Sequence, residues 1–557
     1  MAQKRNLTVA CTLVLCSVLL PGSASSMSCN ILDFGAVADG IVLNTAAIQA
    51  AIDACSEAGG GEVAVPAGRF RTGTIFLKSN ITLRLHAAAV LLGSTDLGDY
   101  PETVPEYRSY TDNYTDKSLI YGEKLENVSL VGKGIVDGQG ERFSKERLPY
   151  KNRPFLVRMI ECKNVTLRDV TLRNSPMWVQ HYLACEDLVI DGIVVDSRRA
   201  NLNNDGIDID SCSRVRISNC FINAEDDALV LKATSDRPCE HVTVTNCVLS
   251  SHCNAFKCGT ESNGGFRDIL VSNCTIFDTR YSGIALELVD GGEFNRVAIS
   301  NITMTNVNNP IFIRLGNRGR PFKAESSHAS SDNVKVGMDL EKPGVGSMQN
   351  ISITNVLATG VGRFNEKDPL SIHRESYDPR IGCSITGIEG HPVKNVSLEN
   401  IRIEFPGGGA AGDSERPVPG AEADYPNYQM LGVTPAYGFY CRHVENIRFA
   451  QIDLSFAGPD ARPAFVFDDV AGLSLLNCCA QISSGAPAWI DLINVRSAWI
   501  DGNRPAGPAK AFARIKDELS RGIVVTSNDL RAVAAPVVSE SELSGEVILV
   551  RDNVEQR

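Results

Sequence analysis

Acidic residues are concentrated in two short segments near the middle of the chain. NNDGIDID contains Asp205, and EDDALVLK contains Asp226 and Asp227, 21 residues beyond Asp205. Carboxylates held close together repel each other unless they bind a cation, share a proton or divide into an acid and a base. Cleavage of a glycosidic bond uses such a division, because one carboxyl group protonates the leaving oxygen while another activates water or attacks the sugar. We therefore predict that these three aspartates are catalytic.

Side chains that suit a sugar-binding groove lie on either side of these acids. SPMWVQHY precedes them and SHCNAFKCGTE follows them, and together these segments supply an aromatic ring, histidines, an amide, a lysine and a further acid. Ligand sites are typically lined by apolar and aromatic groups with a few well-placed polar ones. The predicted substrate-binding residues of this group are Trp178, His181, Asn203, His252, Asn254, Lys257 and Glu261.

Other roles are open for several of these acids and rings. Trp178 can equally pack in the core, and His252 can simply make hydrogen bonds at a turn. Asp208 and Asp210 are interpreted as residues that cap turns. Clustered acids also bind Ca²⁺, which together with a basic residue would support β-elimination on an acidic sugar, but no obvious arginine lies beside the cluster. We predict neither a metal nor a cofactor, since the chain has no paired CxxC or HxxxH motifs.

A repeat with a period in the twenties organises the chain. The segments VRISNCFI, VTVTNCVL, ILVSNCTI and VAISNITM align on asparagines at positions 219, 246, 273 and 301. Apolar and polar residues alternate within each segment, which is typical of a strand, and a period of this length is typical of a solenoid. The pattern of leucine-rich repeats is missing. We predict an all-β fold built as a parallel β-helix.

The repeated asparagine has a predicted structural role. At a fixed corner its side-chain amide can bond to the coils above and below and so form a ladder. Asn-x-Ser/Thr sequons on the repeats are therefore expected to be structural corners rather than glycosylation sites. These sequons begin at Asn164, Asn273, Asn301, Asn350 and Asn395.

Caps and loops are predicted around the stack. Residues 45–55 have a helical apolar face, with Asn44 as the N-cap, and a helix there would cover the unpaired edge of the first strand. Residues 317–348 and 406–428 are expected to be loops, and 508–519 is an amphipathic helix candidate. The predicted organisation is a signal peptide at 1–27, an N-terminal cap with the first coils at 28–120, a catalytic β-helix at 121–500 and a C-terminal cap or extension at 501–557.

The first residues have the composition of an export signal. Lys4 and Arg5 precede an apolar run from Leu7 to Leu20, and small residues follow. The run is shorter than a comfortable membrane span, so we predict an exported monomer, periplasmic or secreted, that is not held in a membrane. A net charge of −12 disfavours nucleic acid as a partner. Several of the seventeen cysteines recur at a regular period inside apolar strands, and most are interpreted as core thiols.

The order of the motifs resembles that of a known family. NNDGIDI is followed by EDD and by a third motif ending in GTES, while NILDFGAVADG, GKGIVDGQGE and NSPMW precede them. Over most of the chain these segments resemble the polygalacturonase family of glycoside hydrolases (family 28). The resemblance implies an inverting hydrolase on a right-handed, pectin lyase-like β-helix. It also implies that Asp226 is the general acid and that Asp205 and Asp227 hold and activate the water.

Two motifs depart from those of family members that act on polygalacturonate. Where the family has Gly-His-Gly, this chain has Asn254 in the place of the histidine. Where the family has Arg-Ile-Lys to bind the substrate carboxylate, this chain has Ala-Leu-Glu ending at Glu287. Glu287 is therefore expected in the substrate site, where Lys257, Arg280 or Arg314 could restore the missing positive charge.

These observations predict a glycosidase that cleaves a pectin-type polysaccharide or oligosaccharide. The departures leave open a polygalacturonate, a rhamnogalacturonan or a neutral sugar chain as substrate, and exo action. A lyase-like β-elimination and a non-catalytic, glycan-binding β-helix are further alternatives. A lyase would release an unsaturated product, and a binding protein would release no reducing ends. The presence of all three aspartates favours an enzyme.

Overall fold

The structure is a computed structural model of the chain. It describes residues 1, 27–111, 113–145, 150–198, 200–320, 341–364, 377–541 and 548–555. The predicted signal peptide lies outside the described residues except for its first and last positions. Its two cysteines and most of the predicted 317–348 loop lie outside them as well.

The described residues contain 37 strands, one α-helix and six short 3-10 helices. In chain order, the strands of the first half are β1 (Met27–Asn30), β2 (Asp39–Leu43), β3 (Gly61–Val65), β4 (Gly68–Thr72), β5 (Ile75–Phe76), β6 (Ile81–Leu85), β7 (Ala89–Gly93), β8 (Ser118–Glu123), β9 (Glu126–Gly132), β10 (Ile135–Asp137), β11 (Phe155–Ile160), β12 (Lys163–Arg168), β13 (Thr171–Arg173), β14 (Gln180–Leu183), β15 (Glu186–Asp191), β16 (Val194–Asp196), β17 (Ile207–Asp210), β18 (Ser213–Ser218), β19 (Phe221–Ala224), β20 (Leu229–Ala233), β21 (Cys239–Thr245), β22 (Val248–Ser251) and β23 (Phe256–Ser262). The remaining strands are β24 (Phe266–Leu288), β25 (Glu293–Leu315), β26 (Ser347–Thr359), β27 (Cys383–Thr386), β28 (Val393–Phe405), β29 (Phe439–Phe456), β30 (Phe465–Leu476), β31 (Cys479–Gln481), β32 (Ile490–Asp501), β33 (Arg504–Ala506), β34 (Ala513–Ile515), β35 (Arg521–Thr526), β36 (Val537–Ser539) and β37 (Ile548–Arg551). The helix is α1 (Thr45–Glu57), and the 3-10 helices are Ile31–Phe34, Leu97–Asp99, Gly140–Arg142, Tyr150–Asn152, Ala411–Glu415 and Tyr428–Leu431.

Successive coils stack so that equivalent strands pair in parallel. In the middle of the molecule the first stack contains β14, β17, β20 and β23, the second contains β15, β18 and β21, and the third contains β16, β19 and β22. When two parallel strands are joined by the rest of a coil, a right-handed crossover connection is favoured. The fold is a right-handed parallel β-helix, as predicted.

The core of the solenoid is built from rows of apolar side chains in register. One row in the second stack runs through Val165, Leu188, Val215, Val242 and Ile269, all of which are buried. Because side chains alternate between the two faces of a strand, every second residue points inward and the residues between them face solvent. This alternation is the pattern that the sequence displays in each repeat.

The predicted capping helix is confirmed as α1. Ile48, Ala51 and Ile52 form its buried face, and the helix packs against β1 and β3 at the open end of the stack. Asn44 occupies the N-cap position, but its side chain does not bond to the helix. Its Oδ1 instead accepts the Val37 N–H at 2.6 Å, so this asparagine ties the preceding loop to the helix start.

The predicted asparagine ladder is present on the outside of the coils. Asn164 donates its side-chain amide to Asn127 at 2.8 Å, and Asn301 donates to Asn273 at 2.9 Å. These corner residues adopt left-handed backbone conformations, which asparagine tolerates better than most residues. The five predicted sequon asparagines all have φ between 52° and 58°.

Asn355→Ala is expected to lower the free energy of unfolding by about 2 kcal/mol. The Asn355 amide donates to Asn301 at 2.9 Å and its oxygen accepts from Asn400 at 2.8 Å, so the substitution removes two ladder bonds and leaves alanine at a φ of 55°. Chemical denaturation would measure the change. Asn355→Gly is the matched control, because it loses the bonds but relieves the backbone strain and should lose less. Equal losses for the two variants would contradict a role for the backbone conformation.

The cysteine interpretation is confirmed for the described chain, and one helix prediction is wrong. The fifteen described cysteines are free thiols, all buried except Cys479.

Residues 508–519 contain β34 rather than a helix, and the coils continue as far as β37. Ala513 and Ile515 stack on the buried row of β32, and Arg514 between them bonds to Asp491 at 2.9 Å. Stacking on the preceding coil therefore outweighs local helix propensity. Among the described residues, no helix is long and apolar enough to cross a membrane.

Candidate active site

Four consecutive turns bring the predicted carboxylates together. Each turn joins a third-stack strand of one coil to the first-stack strand of the next, and the turns before β14, β17, β20 and β23 lie one above another. The backbone carbonyls of Asp205, Asp227 and Asn254 each accept an N–H from the turn of the preceding coil, at 2.8 to 2.9 Å. Residues 21 to 27 positions apart in the sequence are therefore neighbours across the stack.

Asp227 is the most firmly held of the three aspartates. Its Oδ1 accepts the backbone N–H of Asn254 at 3.0 Å and the Asn254 amide at 2.8 Å, and its Oδ2 accepts from Lys257 Nζ at 3.0 Å. Burial lowers the pKa of Lys257, but the nearby charges of Asp227 and Glu287 outweigh burial and raise that pKa well above its usual value. Lys257 is thus a permanent cation beside a carboxylate that has three donors.

Asp205 is the carboxyl group that favours a proton. It is 4% exposed, and its Oδ1 has no hydrogen-bond partner among the described residues. Burial raises the pKa of Asp205 well above its usual value, and the charges of Asp226 and Asp208 raise it further. Asp226 is only half-buried, and its Oδ1 accepts the Asp227 N–H at 3.0 Å. The site therefore combines a buried acid that favours its protonated form with a more accessible one.

A chain of ion pairs extends the site along the first stack. Lys232 Nζ lies 3.9 Å from Asp208 and 3.2 Å from Glu261, and Arg320 donates to Glu261 at 2.5 Å. Although burial raises the pKa of Glu261, the positive charges of Lys232, Arg320 and Arg318 hold it well below its usual range. The predicted site residue Glu261 is thus brought to the site as an anion. Neither arginine was among the predicted site residues, and their only signal in the sequence is the motif GNRGR.

Glu287 lies on the next coil beside Lys257. Its Oε2 is 3.8 Å from Lys257 Nζ and accepts from Thr260 Oγ1 at 3.2 Å. Burial raises the pKa of Glu287 to about 7, and the charge of Asp227 adds to this, although Lys257 opposes it. Near neutral pH the carboxyl group is therefore partly protonated.

Glu287→Gln is expected to change how stability depends on pH. Because the pKa of Glu287 rises from 4.5 in the unfolded chain to about 7 in the fold, the folded state binds this proton more tightly. Rising pH therefore destabilises the wild type through this group between those two values, by about 3 kcal/mol in full. The variant lacks this loss, so its free energy of unfolding relative to wild type should increase across that window. Urea denaturation below and above it provides the measurement, and a constant difference would contradict the assignment.

A candidate cation cluster also lies in the turn that contains Asp226 and Asp227. One oxygen of each aspartate and the Cys253 thiol lie within 4.8 Å of one another. Burial raises the pKa of Cys253 well above its usual value, and both aspartates add to this. Without a metal ion the thiol therefore favours its protonated form. These three residues do not form a set of oxygen ligands for Ca²⁺.

The family follows from comparison with known proteins. A model described as glycosyl hydrolases family 28 matches residues 55–336, which is half of the chain. The chain belongs to glycosyl hydrolases family 28. The order of the sequence motifs predicted this family.

Several known proteins are similar to part of the chain. It is 37% identical to a probable polygalacturonase of Vitis vinifera over 228 residues, which is 38% of this chain and 46% of that protein. It is 31% identical to the exo-poly-alpha-D-galacturonosidase of Dickeya chrysanthemi over 250 residues, 36% of this chain and 41% of that protein. The chain thus spans about half the length of these curated relatives. Plasmin and fibronectin-binding protein A of Streptococcus pneumoniae is 34% identical over 149 residues, 26% of this chain and 20% of that protein.

A solved structure supports the fold. The family 28 exopolygalacturonase of Yersinia enterocolitica has a TM-score of 0.60 at 19% identity, covering 82% of this chain and 79% of that chain. At this identity the likeness shows the fold alone.

The two departures from the family 28 motifs have different structural outcomes. Asn254, in place of the family histidine, bonds to Asp227, and its Oδ1 accepts the Ser282 N–H at 3.1 Å. His252 does not reach this place, because its Nδ1 bonds to Glu225 at 2.6 Å and its Nε2 accepts from Arg198 at 2.7 Å. Of the cations considered as substitutes for Arg-Ile-Lys, Lys257 lies in the site. Buried Arg314 instead bonds to the loop carbonyls of residues 420 and 421.

Three further predicted substrate contacts lie at the edge of this family 28 site. Trp178 is 3% exposed and packs edge-on against His181, and Lys232 Nζ lies 4.6 Å from the centre of its ring. His181 is fully buried and bonds to Asp210 at 3.2 Å. Asn203, with a φ of 52°, accepts from Arg153 at 3.1 Å. Their contacts within the fold are clear, and their contact with substrate stays a prediction.

Proposed function

We propose that this protein is a glycosidase that hydrolyses the bonds between galacturonate residues of a pectic polysaccharide. The observation that carries the proposal is the group of Asp205, Asp226 and Asp227 on adjacent turns, with one member held by a lysine and another favouring a proton. Glycoside hydrolysis requires this division between acid and base. The names of the two similar relatives, a probable polygalacturonase and an exo-poly-alpha-D-galacturonosidase, support the choice of substrate.

Each carboxylate has a proposed step. Burial and the charge of Asp226 raise the pKa of Asp205 and favour a proton on it, and this proton passes to the leaving oxygen through Asp226, the more exposed of the two side chains. Asp205 is then ionised, and together with Asp227 it holds the attacking water and receives its proton. Water adds to the anomeric carbon as the bond to the leaving oxygen breaks, so hydrolysis is complete without a covalent intermediate.

The site contains cations that suit an acidic sugar. Lys257 and Lys232 are buried at the candidate site and the Arg318 side chain is 11% exposed, and desolvated cations can offset the negative charge that a uronate brings with it. Glu287 is a weaker partner of Lys257 than Asp227 is, since it lies 3.8 Å from the lysine and is partly protonated near neutral pH. We infer that an acidic sugar is accepted although the family Arg-Ile-Lys motif is absent.

Reducing-end release by the purified protein tests this function. The substrates are polygalacturonate, its methyl ester, rhamnogalacturonan and a neutral pectic side chain, with absorbance of unsaturated products recorded in parallel. The proposal expects release from polygalacturonate, less from the ester, and no unsaturated product. Release only from rhamnogalacturonan or only from the neutral chain would mean that this glycan, and not polygalacturonate, is the substrate. Glycan binding without any release would favour a binding protein instead of an enzyme.

The setting of the activity is also proposed. The apolar run behind Lys4 and Arg5 supports export of the protein, which would bring it to polymers outside the cell. We infer that it acts as a monomer, because the coils form one continuous core with a helix over the first coil.

A further inference from the structure

An exposed aromatic ring lies beside the candidate carboxylates. Tyr425 is 55% exposed, and its hydroxyl group is 3.4 Å from the Nζ of Lys257, the lysine that bonds to Asp227. Lys257 Nζ lies 5.7 Å and the Arg318 guanidinium 5.6 Å from the centre of the ring. One lysine side chain therefore separates the Tyr425 hydroxyl from the predicted catalytic base.

The segment that carries Tyr425 is fixed to the coils. Arg314 donates to the carbonyl of Gly420 at 2.7 Å and to that of Ala421 at 3.1 Å. The Glu422 carbonyl accepts the backbone N–H of Asn317 at 2.7 Å. These bonds connect the segment to the end of β25, so Tyr425 is presented to the groove from a fixed base. The segment lies beyond residue 336, where the family match ends.

We propose that Tyr425 is a substrate-binding residue whose ring packs against a pyranose ring next to the cleaved bond. This proposal rests on the proposed function and names a residue that helps to select its substrate. A sugar ring has apolar C–H faces, and packing on an aromatic ring removes both surfaces from water. A sugar packed on this ring would lie close to Lys257 and Arg318, and these two cations would favour a sugar that carries a carboxylate.

In the described part of the chain, Tyr425 is left largely uncovered by the fold, unlike its neighbour Tyr428. Tyr428, three residues later, is buried and packs edge-on against Tyr281 at 5.7 Å between ring centres. Tyr425 instead leaves more than half of its residue surface exposed, beside charged groups. A bound sugar would cover that surface, and this is how aromatic side chains typically contribute to ligand sites.

Kinetics of three variants on an oligogalacturonate test the proposal. Tyr425→Ala is expected to raise KM roughly tenfold with kcat changed much less, since the ring supplies contact area rather than a proton. Tyr425→Phe keeps the ring and is expected to stay close to wild type. Trp499→Ala is the matched control, because Trp499 is 43% exposed on the second-stack face and should have no effect.

The role of Tyr425 and the proposed function can fail independently of each other in these experiments. An unchanged KM for Tyr425→Ala would overturn the role of the ring. A loss in Tyr425→Phe as large as in Tyr425→Ala would also overturn it, because the hydroxyl contact with Lys257 would then be the cause. If the wild type cleaves no pectic glycan, the proposed function fails, and binding of the oligogalacturonate measured by calorimetry still decides the role of Tyr425. Weaker binding by Tyr425→Ala supports the platform, and equal binding contradicts it.

Discussion

Asp226→Asn is expected to lower kcat on polygalacturonate by about two to four orders of magnitude and to leave KM within about threefold. The substitution keeps the shape of the side chain and an oxygen that can accept the Asp227 N–H, a bond of 3.0 Å in the wild type. It removes the proton that the leaving oxygen requires. Because the loss lies in the transition state, it should appear in kcat rather than in substrate binding.

Two comparisons show whether Asp226 acts as the acid. A substrate with a good leaving group needs little protonation, so the variant should lose far less activity on an aryl galacturonide than on the polymer. Asp453→Asn is the matched control, because Asp453 is an exposed acid paired with Arg402 on the outside of the coils and should leave kcat unchanged. Equal losses on both substrates would contradict the role of general acid.

Lys257→Gln is expected to lower kcat/KM by at least about thirtyfold. It is also expected to shift the acidic limb of the pH profile of kcat/KM to higher pH. Removing one member of a buried ion pair typically costs about 2 to 5 kcal/mol, which sets this scale. The lost cation lies 3.0 Å from Asp227 Oδ2, and without it the neutral form of the carboxyl group is favoured. A base that must be ionised then works only at higher pH. The pH profile of kcat/KM measures the shift.

The control for this prediction keeps the positive charge. Lys257→Arg retains a cation at the end of a long side chain, so its acidic limb should stay near that of the wild type even if packing lowers its rate. A Lys257→Gln enzyme with reduced activity and an unshifted limb would mean that the lysine contacts substrate without tuning the base.

The sequence predicted the fold well because the coil is a local, repeated unit. The asparagine spacing and the period-2 alternation follow from contacts between neighbouring coils. The apolar face of residues 45–55 follows from the packing of α1 against the first strands. The helix predicted at 508–519 failed because those residues stack on β32, where Arg514 meets Asp491. Such a partner lies in the previous coil and leaves no trace in a local pattern.

The site was predictable in part for the same reason. Asp205 and Asp227 are separated by about one coil, so the period of the repeat brings them together. Arg318 and Tyr425 reach the site from later segments, and Tyr425 meets Lys257 across 168 residues of sequence. No periodic signal connects positions so far apart, and only the three-dimensional path of the loop brings them into one groove.

The measurement that tests the central claim most directly is cleavage of polygalacturonate in water labelled with heavy oxygen, followed by mass spectrometry of the products. Hydrolysis assisted by Asp226 and Asp227 places one labelled oxygen on each new reducing end, and the Asp226→Asn enzyme forms such ends far more slowly. Unsaturated products without the label would show elimination instead of hydrolysis. Labelled products formed equally fast by both enzymes would show that Asp226 is not the acid.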